Sequence, residues 1–472
     1  MPCIKLALRL LPSSISLQAI TSCDIFFSLF LYLFCSLSFT FIHSFSLFLE
    51  YRLPDILTML TSSLLVAIAA FASSAQAWLP SDGSAAAVDK RSLGLFPPPG
   101  QEGVDKRWLP GSGKIRGVNL GSLFVFEPWI SSSEWAAIGC ANQNSEFDCV
   151  MNNGQDTADT NFQAHWRRFI NESDLNDMVN YGLNTIRIPL GYWLKESLVD
   201  SSEHFPKGGL DYLTEFVGWA SDRGFYIILD LHGAPGAQQT RQPFTGQYAD
   251  TVGFYNDYNY GRAIEWLEWI VNIVHTTNEY RNVGMIELVN EPLNWDNAVD
   301  TLRSSYYPDA YKAIRTVEDN LNVKSNDRLH IQMMSSLWGS GNPVEHLDDT
   351  SFTAFDDHRY LKWDTAVEVS HDSYISTSCS DDRNSNGPSI VGEWSLAVPD
   401  NVEGTDEWSP STQKDFYSKW FAAQVHAYES TTLGWVFWTW KTNLGDDYRW
   451  SYKAAVEAGV IPTDLSNMSN PC

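Results

Sequence analysis

GMIELVNEP, residues 284–292, is an apolar run that ends in two polar residues and a proline. Its large apolar side chains suit a strand that is buried on both faces, so we predict a strand over Gly284–Glu291. Pro292 cannot donate a hydrogen bond to a strand ladder, which places Asn290 and Glu291 at the carboxyl end of that strand. A carboxylate in such a place is costly unless it is paired or takes part in chemistry.

Seven other short apolar runs are also predicted to be strands. Helical patterns lie between most of the runs, such as Asn171–Gly182 and Thr412–Ser430, although there is little helical pattern between Ser336 and Thr353. Alternation of eight strands with helices predicts an α/β fold, a (β/α)8 TIM barrel with a single catalytic domain. The other runs are KIRGVNLG (114–121), NTIRIPLG (184–191), YIILDLHG (226–233), HIQMMSS (330–336), TAFDDHRY (353–360), SIVGEWS (389–395) and GWVFWTW (434–440).

Polar residues occupy the carboxyl ends of nearly all the predicted strands. In a TIM barrel these ends meet on one face, where catalytic sites are built. One buried polar group at a strand end has an ordinary structural explanation, but a whole set on one face indicates a functional site. The residues are Asn119, Arg187, His232, Asn290, Glu291, His358, Glu393 and Trp438.

Glu291 and Glu393 follow the fourth and seventh predicted strands and suit the paired carboxylates of glycoside hydrolysis. One carboxyl group must be protonated to assist departure of the leaving oxygen, and the other must be ionised to attack the anomeric carbon. Their pKa values must therefore differ. Arg187 would stabilise an ionised carboxylate by its charge, and Tyr360 would do so by a hydrogen bond.

The composition indicates an uncharged partner. Lys and Arg total 31 against 57 Asp and Glu, and the net charge of −26 would repel nucleic acid and anionic lipid. Aromatic residues also suit the apolar faces of sugar rings. Asn290 is expected to hold a sugar 2-hydroxyl and Trp438 to form the floor beneath the sugar, although a structural role explains Trp438 or His232 equally well. No Cys or His spacing resembles a metal site, and we expect neither a metal nor a cofactor.

Residues 1–77 are predicted to be a leader that is not part of the fold. Residues 59–77, MLTSSLLVAIAAFASSAQA, resemble a signal peptide with a cleavage site after Ala77. Residues 1–58 contain a run over Ile25–Leu49 that is long enough to span a membrane. This run is either a membrane anchor or, in the interpretation we prefer, translated sequence upstream of the true start.

Residues 78–107 are predicted to be a pro-segment. They contain two Val-Asp-Lys-Arg segments in Gly/Pro/Ser-rich sequence, which resemble sites for a kexin-type protease but could also be solvated charge clusters. We expect residues 108–472 to form the mature domain, which is secreted, extracellular or associated with the cell wall, monomeric and not membrane-bound. Glycosylation acceptors at Asn171 and Asn467 agree with secretion.

The expected mature domain contains four of the seven cysteines. An even number of cysteines in a secreted chain indicates two disulfides, with three possible connectivities. In one of these connectivities Cys140 pairs with Cys149 to close a short loop, and Cys379 pairs with Cys472 to tie down the C-terminus.

Six motifs resemble glycoside hydrolase family 5, a retaining family with a TIM-barrel fold. They are LVNEP, VGEWS, IRIPLGYW, DLHGAPG, DDHRY and WVFWTWK, and the resemblance runs from Lys114 to the C-terminus. It implies that Glu291 is the acid/base and Glu393 the nucleophile. It also implies that the substrate is bound by Arg187, His232, Asn290, His358, Tyr360 and Trp438.

The segments RGVNLG and EPWI further resemble the fungal exo-β-1,3-glucanase branch of this family, where the glutamate matching Glu127 helps to hold the sugar. That branch usually reads Gly-Gly-Trp-Leu where this chain has Gly121–Phe124, which puts β-1,3 specificity in doubt. Longer stretches such as EHFPKGGLDYL and HIQMMSSLWGSG resemble fungal β-1,6-glucanases. We therefore expect retaining, internal hydrolysis of a β-1,6-glucan of the pustulan type.

Two alternatives use the same two glutamates, namely an exo-β-1,3-glucanase and a membrane-tethered glucan transglycosylase. A binding protein without activity would have lost one of the glutamates, and both are present. Linkage choice is expected to depend on the wall around the acceptor sugar. The candidate segments for that wall are Ser122–Phe124, Gln238–Phe254 and Asn294–Tyr307.

Overall fold

Eight parallel strands form a closed barrel in the computed structural model, which describes residues 113–295 and 297–472. Each strand pairs with the next along the chain, and the last strand pairs with the first. The strands are β1 (Ile115–Asn119), β2 (Thr185–Gly191), β3 (Tyr226–Gly233), β4 (Val283–Glu287), β5 (His330–Met334), β6 (Thr353–Arg359), β7 (Ser389–Trp394) and β8 (Gly434–Phe437).

Helices occupy most of the connections between the strands. A π-helical segment, Leu302–Tyr306, joins the helices Ala298–Thr301 and Tyr307–Asn320. A short 3₁₀ turn, Ser336–Trp338, is the regular element between β5 and β6. The α-helices are α1 (Ser132–Ala137), α2 (Glu146–Asn153), α3 (Gln155–Arg168), α4 (Glu172–Asn180), α5 (Gly209–Asp222), α6 (Asp257–Thr276), α7 (Ala298–Thr301), α8 (Tyr307–Asn320), α9 (His371–Ser380), α10 (Lys414–Thr431) and α11 (Tyr452–Glu457).

The strands are buried because their side chains are covered on both faces of the sheet. Every residue of β2 and β3 is buried. Side chains that point outwards pack on the helices, as where Trp394 of β7 stacks on Phe421 of α10 with ring centroids 5.5 Å apart. The inward side chains fill the barrel and make it a packed core.

The barrel interior is layered because inward positions recur every second residue along a strand. One layer is an apolar cluster that includes Ile228, Met285 and Ala354. Two residues further along the same strands lies a fully buried polar layer, which we call the charged floor. Two residues further again, His232 and His358 reach the carboxyl end of the barrel. The charged floor consists of Arg187, Asp230, Glu287, Gln332 and Asp356.

The predicted TIM barrel is confirmed, and all eight predicted strands are present, but two details were wrong. Regular β4 ends at Glu287 and not at Glu291. Beyond it the backbone still bonds to both neighbours, with Asn290 N donating to Leu231 O at 3.0 Å, before Glu291 adopts a positive φ of 39°. Arg187 is the third residue of β2 and not its end, but the barrel's stagger pairs it with Asn119, the last residue of β1.

Two disulfides tie the loops and the C-terminus to the barrel. They join Cys140 to Cys149 and Cys379 to Cys472, so the connectivity proposed among the three is confirmed. Within the described ranges, no helix combines the length and the apolar character needed to cross a membrane. The predicted leader and pro-segment lie outside the described residues.

Candidate active site

A cavity of about 1040 Å³ opens at the carboxyl end of the strands. Arg187 lies beneath this cavity with no exposed surface. The other predicted site residues line the cavity, namely Glu127, His232, Asn290, Glu291, His358, Tyr360, Glu393 and Trp438. The set predicted from strand ends is thus brought together in one place, although Asn119 also lies below the cavity, where it donates to Gly392 O at 2.8 Å.

Glu291 lies just beyond β4 in a left-handed backbone conformation that residues other than Gly rarely adopt. Gln239 Nε2 donates to the Glu291 carbonyl at 3.1 Å and helps to hold this conformation. The carboxylate Oε1 lies 2.7 Å from His358 Nδ1. Its side chain is 18% exposed, so the carboxyl group can reach a ligand in the cavity.

Glu393 on β7 is held by donors at both carboxylate oxygens. Arg187 Nη1 donates to Oε1 at 3.0 Å, and the Tyr360 hydroxyl donates to Oε2 at 2.8 Å. Burial raises the pKa of Glu393 above its ordinary value, while the charges of His358 and Arg187 oppose that rise. The carboxylate is therefore fixed in orientation, and it loses its proton at a higher pH than an exposed glutamate does.

His358 lies between the two glutamates. One oxygen of Glu291, one oxygen of Glu393 and a ring nitrogen of His358 all lie within 4.8 Å of one another. Burial would lower the pKa of His358, but Glu393, Asp356 and Glu291 together raise it well above its ordinary value. These three groups are also close enough together to surround a metal ion.

Arg187 connects the floor to the reacting end of the site. Its Nη1 donates to Asn119 Oδ1 at 3.0 Å, and its Nη2 donates to Asn290 Oδ1 at 2.9 Å. Its Nε and Nη2 both donate to Glu287 Oε2, at 3.0 and 2.7 Å. Arg187 therefore fixes the side-chain oxygen of Asn290, a residue that lines the cavity.

The opposite wall of the cavity combines rings with a third glutamate. The His232 ring stacks on Trp438 with centroids 5.6 Å apart, and its Nδ1 lies 2.6 Å from Asp230 Oδ2. Trp129 Nε1 donates to Glu127 Oε2 at 2.8 Å. Burial raises the pKa of Glu127 to about 7. This wall offers a hydrogen-bonding group beside an apolar surface, as a pyranose ring requires.

Several cavity residues were not predicted from the sequence. Exposed rings at the cavity rim include Trp129 and Trp363, which are 41% and 59% exposed. They lie on loops, where no periodic pattern marks them. In contrast, the acids of the charged floor lie inside strands, and the alternation within YIILDLHG, GMIELVNE and TAFDDHRY could have placed them in the barrel interior.

The three segments expected to form the acceptor wall have different outcomes. Gln239 and Phe244 of the second segment and Trp295 of the third line the cavity. Ser122–Phe124 was wrongly expected to do so, because none of the three residues lines the cavity and all of them are packed in the interior. Ser122 Oγ instead accepts from Glu127 N at 3.1 Å, so this segment supports Glu127 from behind.

Residues 150–444 match the model of a protein family described as cellulase (glycosyl hydrolase family 5). The chain belongs to glycosyl hydrolase family 5. The resemblance predicted from the motifs is confirmed, and this family 5 member is a glycoside hydrolase. The closed eight-stranded barrel agrees with that membership.

Two curated family relatives cover most of the chain. This chain is 61% identical to glucan endo-1,6-beta-glucosidase B of Emericella nidulans over 370 residues. The aligned region covers 78% of this chain and 90% of that protein. This chain is 29% identical to glucan 1,3-beta-glucosidase of Blumeria graminis over 402 residues, and the aligned region covers 76% of this chain and 89% of that protein. The solved structure of rutinosidase from Aspergillus niger shares the fold with a TM-score of 0.57 at 19% identity, over 74% of this chain and 98% of that one.

Proposed function

We propose that this family 5 enzyme is a retaining endo-β-1,6-glucanase that hydrolyses internal bonds of a pustulan-type glucan. The observation that carries the proposal is the 61% identity to a protein named glucan endo-1,6-beta-glucosidase B, over 90% of that protein's length. The closeness of the Glu291 and Glu393 oxygens supports retention. Retaining enzymes hold their carboxyl groups about 5–5.5 Å apart, and inverting enzymes about 6.5–9.5 Å apart.

In the first step, an ionised Glu393 attacks the anomeric carbon while Glu291 gives its proton to the glycosidic oxygen. The bond from carbon to the leaving oxygen breaks, and a covalent glycosyl ester forms on Glu393. Arg187 and Tyr360 support this role because both donate to the Glu393 carboxylate and fix its orientation. Asn290, held by Arg187, is placed to bind the sugar 2-hydroxyl.

In the second step, Glu291 takes a proton from water, and the water oxygen attacks the anomeric carbon from the opposite side of the ester bond. The ester to Glu393 breaks, and the sugar leaves with its original configuration. His358 lies beside both carboxylates and favours ionised Glu393 while Glu291 gains or loses its proton.

Glu127, His232 and Trp438 are proposed to hold the sugar whose bond is cleaved. Trp438 and the stacked His232 present an apolar surface, and Glu127 accepts from sugar hydroxyl groups. The acceptor sugar then meets Glu291 near Gln239, Phe244 and Trp295. We infer that these loop residues select the linkage, because a 1,6-bond adds a rotatable exocyclic bond and directs the chain differently.

The alternative is exo-cleavage of β-1,3-glucan, which the 29% identity to a glucan 1,3-beta-glucosidase supports. Pustulan and laminarin, digested at equal concentration, separate the two functions. The proposal requires gentio-oligosaccharides of mixed length from pustulan and little glucose from laminarin. Steady release of glucose alone from laminarin would establish the alternative. Products longer than the supplied oligosaccharide would show transglycosylation.

We further propose that the enzyme is secreted as a monomeric domain over residues 108–472. Its two disulfides support secretion, because such bonds persist in oxidising compartments outside the cytosol. Asn467 is exposed, as a glycosylation acceptor must be.

A further inference from the structure

The charged floor contains more carboxyl groups than its cations can neutralise. Arg187 lies 3.1, 2.7 and 3.5 Å from Asp230, Glu287 and Asp356, which are all fully buried. It also lies 3.0 Å from Glu393. Even if both neighbouring imidazoles are cations, these four carboxylates and the nearby Glu291 exceed the positive charges by two. Since an unpaired buried charge is unfavourable, two of these carboxyl groups need a proton, and one of the two protons is the one that Glu291 donates in the proposed mechanism.

The contacts of Glu287 and Asp356 point to the second proton lying between these two side chains. Glu287 Oε2 accepts twice from Arg187, whereas Oε1 has no ordinary donor in the described part of the chain. Both Asp356 oxygens lack an ordinary donor there too, although hydrogen bonding from the neighbouring Glu287 helps to lower the pKa of Asp356. Two carboxyl oxygens that face each other can form a hydrogen bond only if one of the two carboxyl groups is protonated. Burial raises the pKa of Glu287 well above its ordinary value, which favours Glu287 over Asp356 as the member that keeps the proton.

Asp356 in turn contacts the far side of the His358 ring. His358 Nε2 lies 3.5 Å from Asp356 Oδ2, while Nδ1 faces Glu291 and Glu393. Burial alone would raise the pKa of Asp356, but His358, Arg187 and the Glu287 hydrogen bond lower it. Gly392 makes room for this carboxylate, since a Cβ there would lie 2.0 Å from Asp356 Oδ1.

We propose that Asp356 is a positioning residue that holds His358 as an imidazolium between the reacting carboxylates, with neutral Glu287 as its hydrogen-bond donor. This inference rests on the proposed roles of Glu291 and Glu393. Without Asp356, His358 loses its proton more readily, and Glu393 loses a nearby cation. The groups that face Asp356 and His358 are Arg187 of β2, Asp230 of β3, Glu287 and Glu291 at β4, Gln332 of β5 and Glu393 of β7.

Two isosteric variants of the full chain test the proposal. Glu287→Gln keeps a neutral side chain that donates to Asp356 and accepts from Arg187, so kcat/KM and its pH profile should stay near those of the wild type. Asp356→Asn removes the negative charge. It should lower the pKa of His358 by about one to three pH units and move the acid limb of kcat/KM to higher pH. The measurements are pH–rate profiles and nitrogen-15 NMR titration of His358, with thermal unfolding as the folding control.

Infrared spectroscopy tests the protonation of Glu287 without using activity. The wild type minus Glu287→Gln difference spectrum at neutral pH should contain the carbonyl stretch of a protonated carboxylic acid. An ionised carboxylate band in its place would overturn the proposal. So would a Glu287→Gln profile shifted as far as that of Asp356→Asn, or an unchanged His358 titration in Asp356→Asn. If the titration moves and the pH profile does not, the link from Asp356 to His358 stands and the proposed roles of Glu291 and Glu393 fail.

Discussion

Glu291 and Glu393 approach the same nitrogen of one imidazole, with carboxylate oxygens 2.7 and 3.5 Å from His358 Nδ1. Only Glu393 also receives hydrogen bonds from Arg187 and Tyr360. The two carboxyl groups therefore share one cation but differ in their other partners. This asymmetry is what a pair needs if one member is to donate a proton and the other is to attack as an anion.

Removing either of the two carboxylates proposed to react should affect catalysis in a distinct way. Glu393→Gln should abolish turnover because no nucleophile remains. Glu291→Ala should lower kcat/KM by about 10²–10⁴-fold on glucan, the range for lost general acid–base catalysis. With an activated leaving group, added azide should restore turnover and yield a β-glycosyl azide, identified by NMR. An α-azide product would contradict retention, and exposed Glu215→Ala on α5 serves as the matched control.

The acid limb of the pH–rate profile should lie above the ordinary carboxyl range. As the proposed nucleophile, Glu393 must be ionised, and burial raises its pKa, so activity should fall as pH drops through that raised value. Tyr360→Phe removes a hydrogen bond of 2.8 Å to the Glu393 carboxylate, which should move the limb to still higher pH. It should also lower kcat roughly 10–100-fold, since hydrogen bonds to charged groups contribute about 1.5–3 kcal/mol. An acid limb at lower pH in Tyr360→Phe than in the wild type would contradict the assignment of Glu393 as the ionised nucleophile.

Trp295 should contribute to binding of the polymer and not to the chemical step. Its ring is 71% exposed at the cavity rim near Glu291. Trp295→Ala should raise KM for pustulan roughly 2–10-fold, the effect of losing about 0.5–1.5 kcal/mol of ring stacking. Turnover of a small aryl glucoside should not change. Tyr258→Ala is the control, because Tyr258 is 61% exposed but lies outside the cavity lining; an equal effect there would remove the case for Trp295.

The two disulfides should contribute unequally to the free energy of unfolding. Cys379 and Cys472 are separated by 93 residues, and Cys140 and Cys149 by 9. Loop-closure entropy predicts about 4–5 kcal/mol for the longer loop and about 2–3 kcal/mol for the shorter one. Paired Cys→Ser variants, unfolded in denaturant, would measure both values. A larger loss for the Cys140–Cys149 variant would show that local strain or packing outweighs loop entropy.

The mature N-terminus should be Trp108, after removal of residues 1–107. The basis is the signal-like segment that ends at Ala77 and the Lys-Arg pair before Trp108. Intact-mass and N-terminal peptide measurements on the secreted enzyme would locate it. A start at Trp78 would exclude only the pro-segment, whereas recovery of Ile25–Leu49 in a membrane-bound enzyme would overturn secretion as well.

The sequence predicted the barrel and the placement of the site residues because both depend on short-range patterns. Apolar runs mark buried strands, and a polar residue after such a run marks the catalytic face, as with His232 and Glu291. The rings of Trp129 and Trp363 could not be placed because loop conformation depends on distant packing. Arg187 was placed too near a strand end, because the stagger between strands is set by barrel closure and not by any one strand.

Glu291 occupies a backbone conformation that glycine would adopt with less strain. A conformation of this kind costs about 1–3 kcal/mol and persists only where the surrounding structure enforces it. Selection for thermal stability alone would therefore favour glycine at this position, and selection for turnover opposes it. The enzyme retains a less stable fold where its proposed proton donor lies, so thermostabilising substitutions are better sought away from the turn after β4.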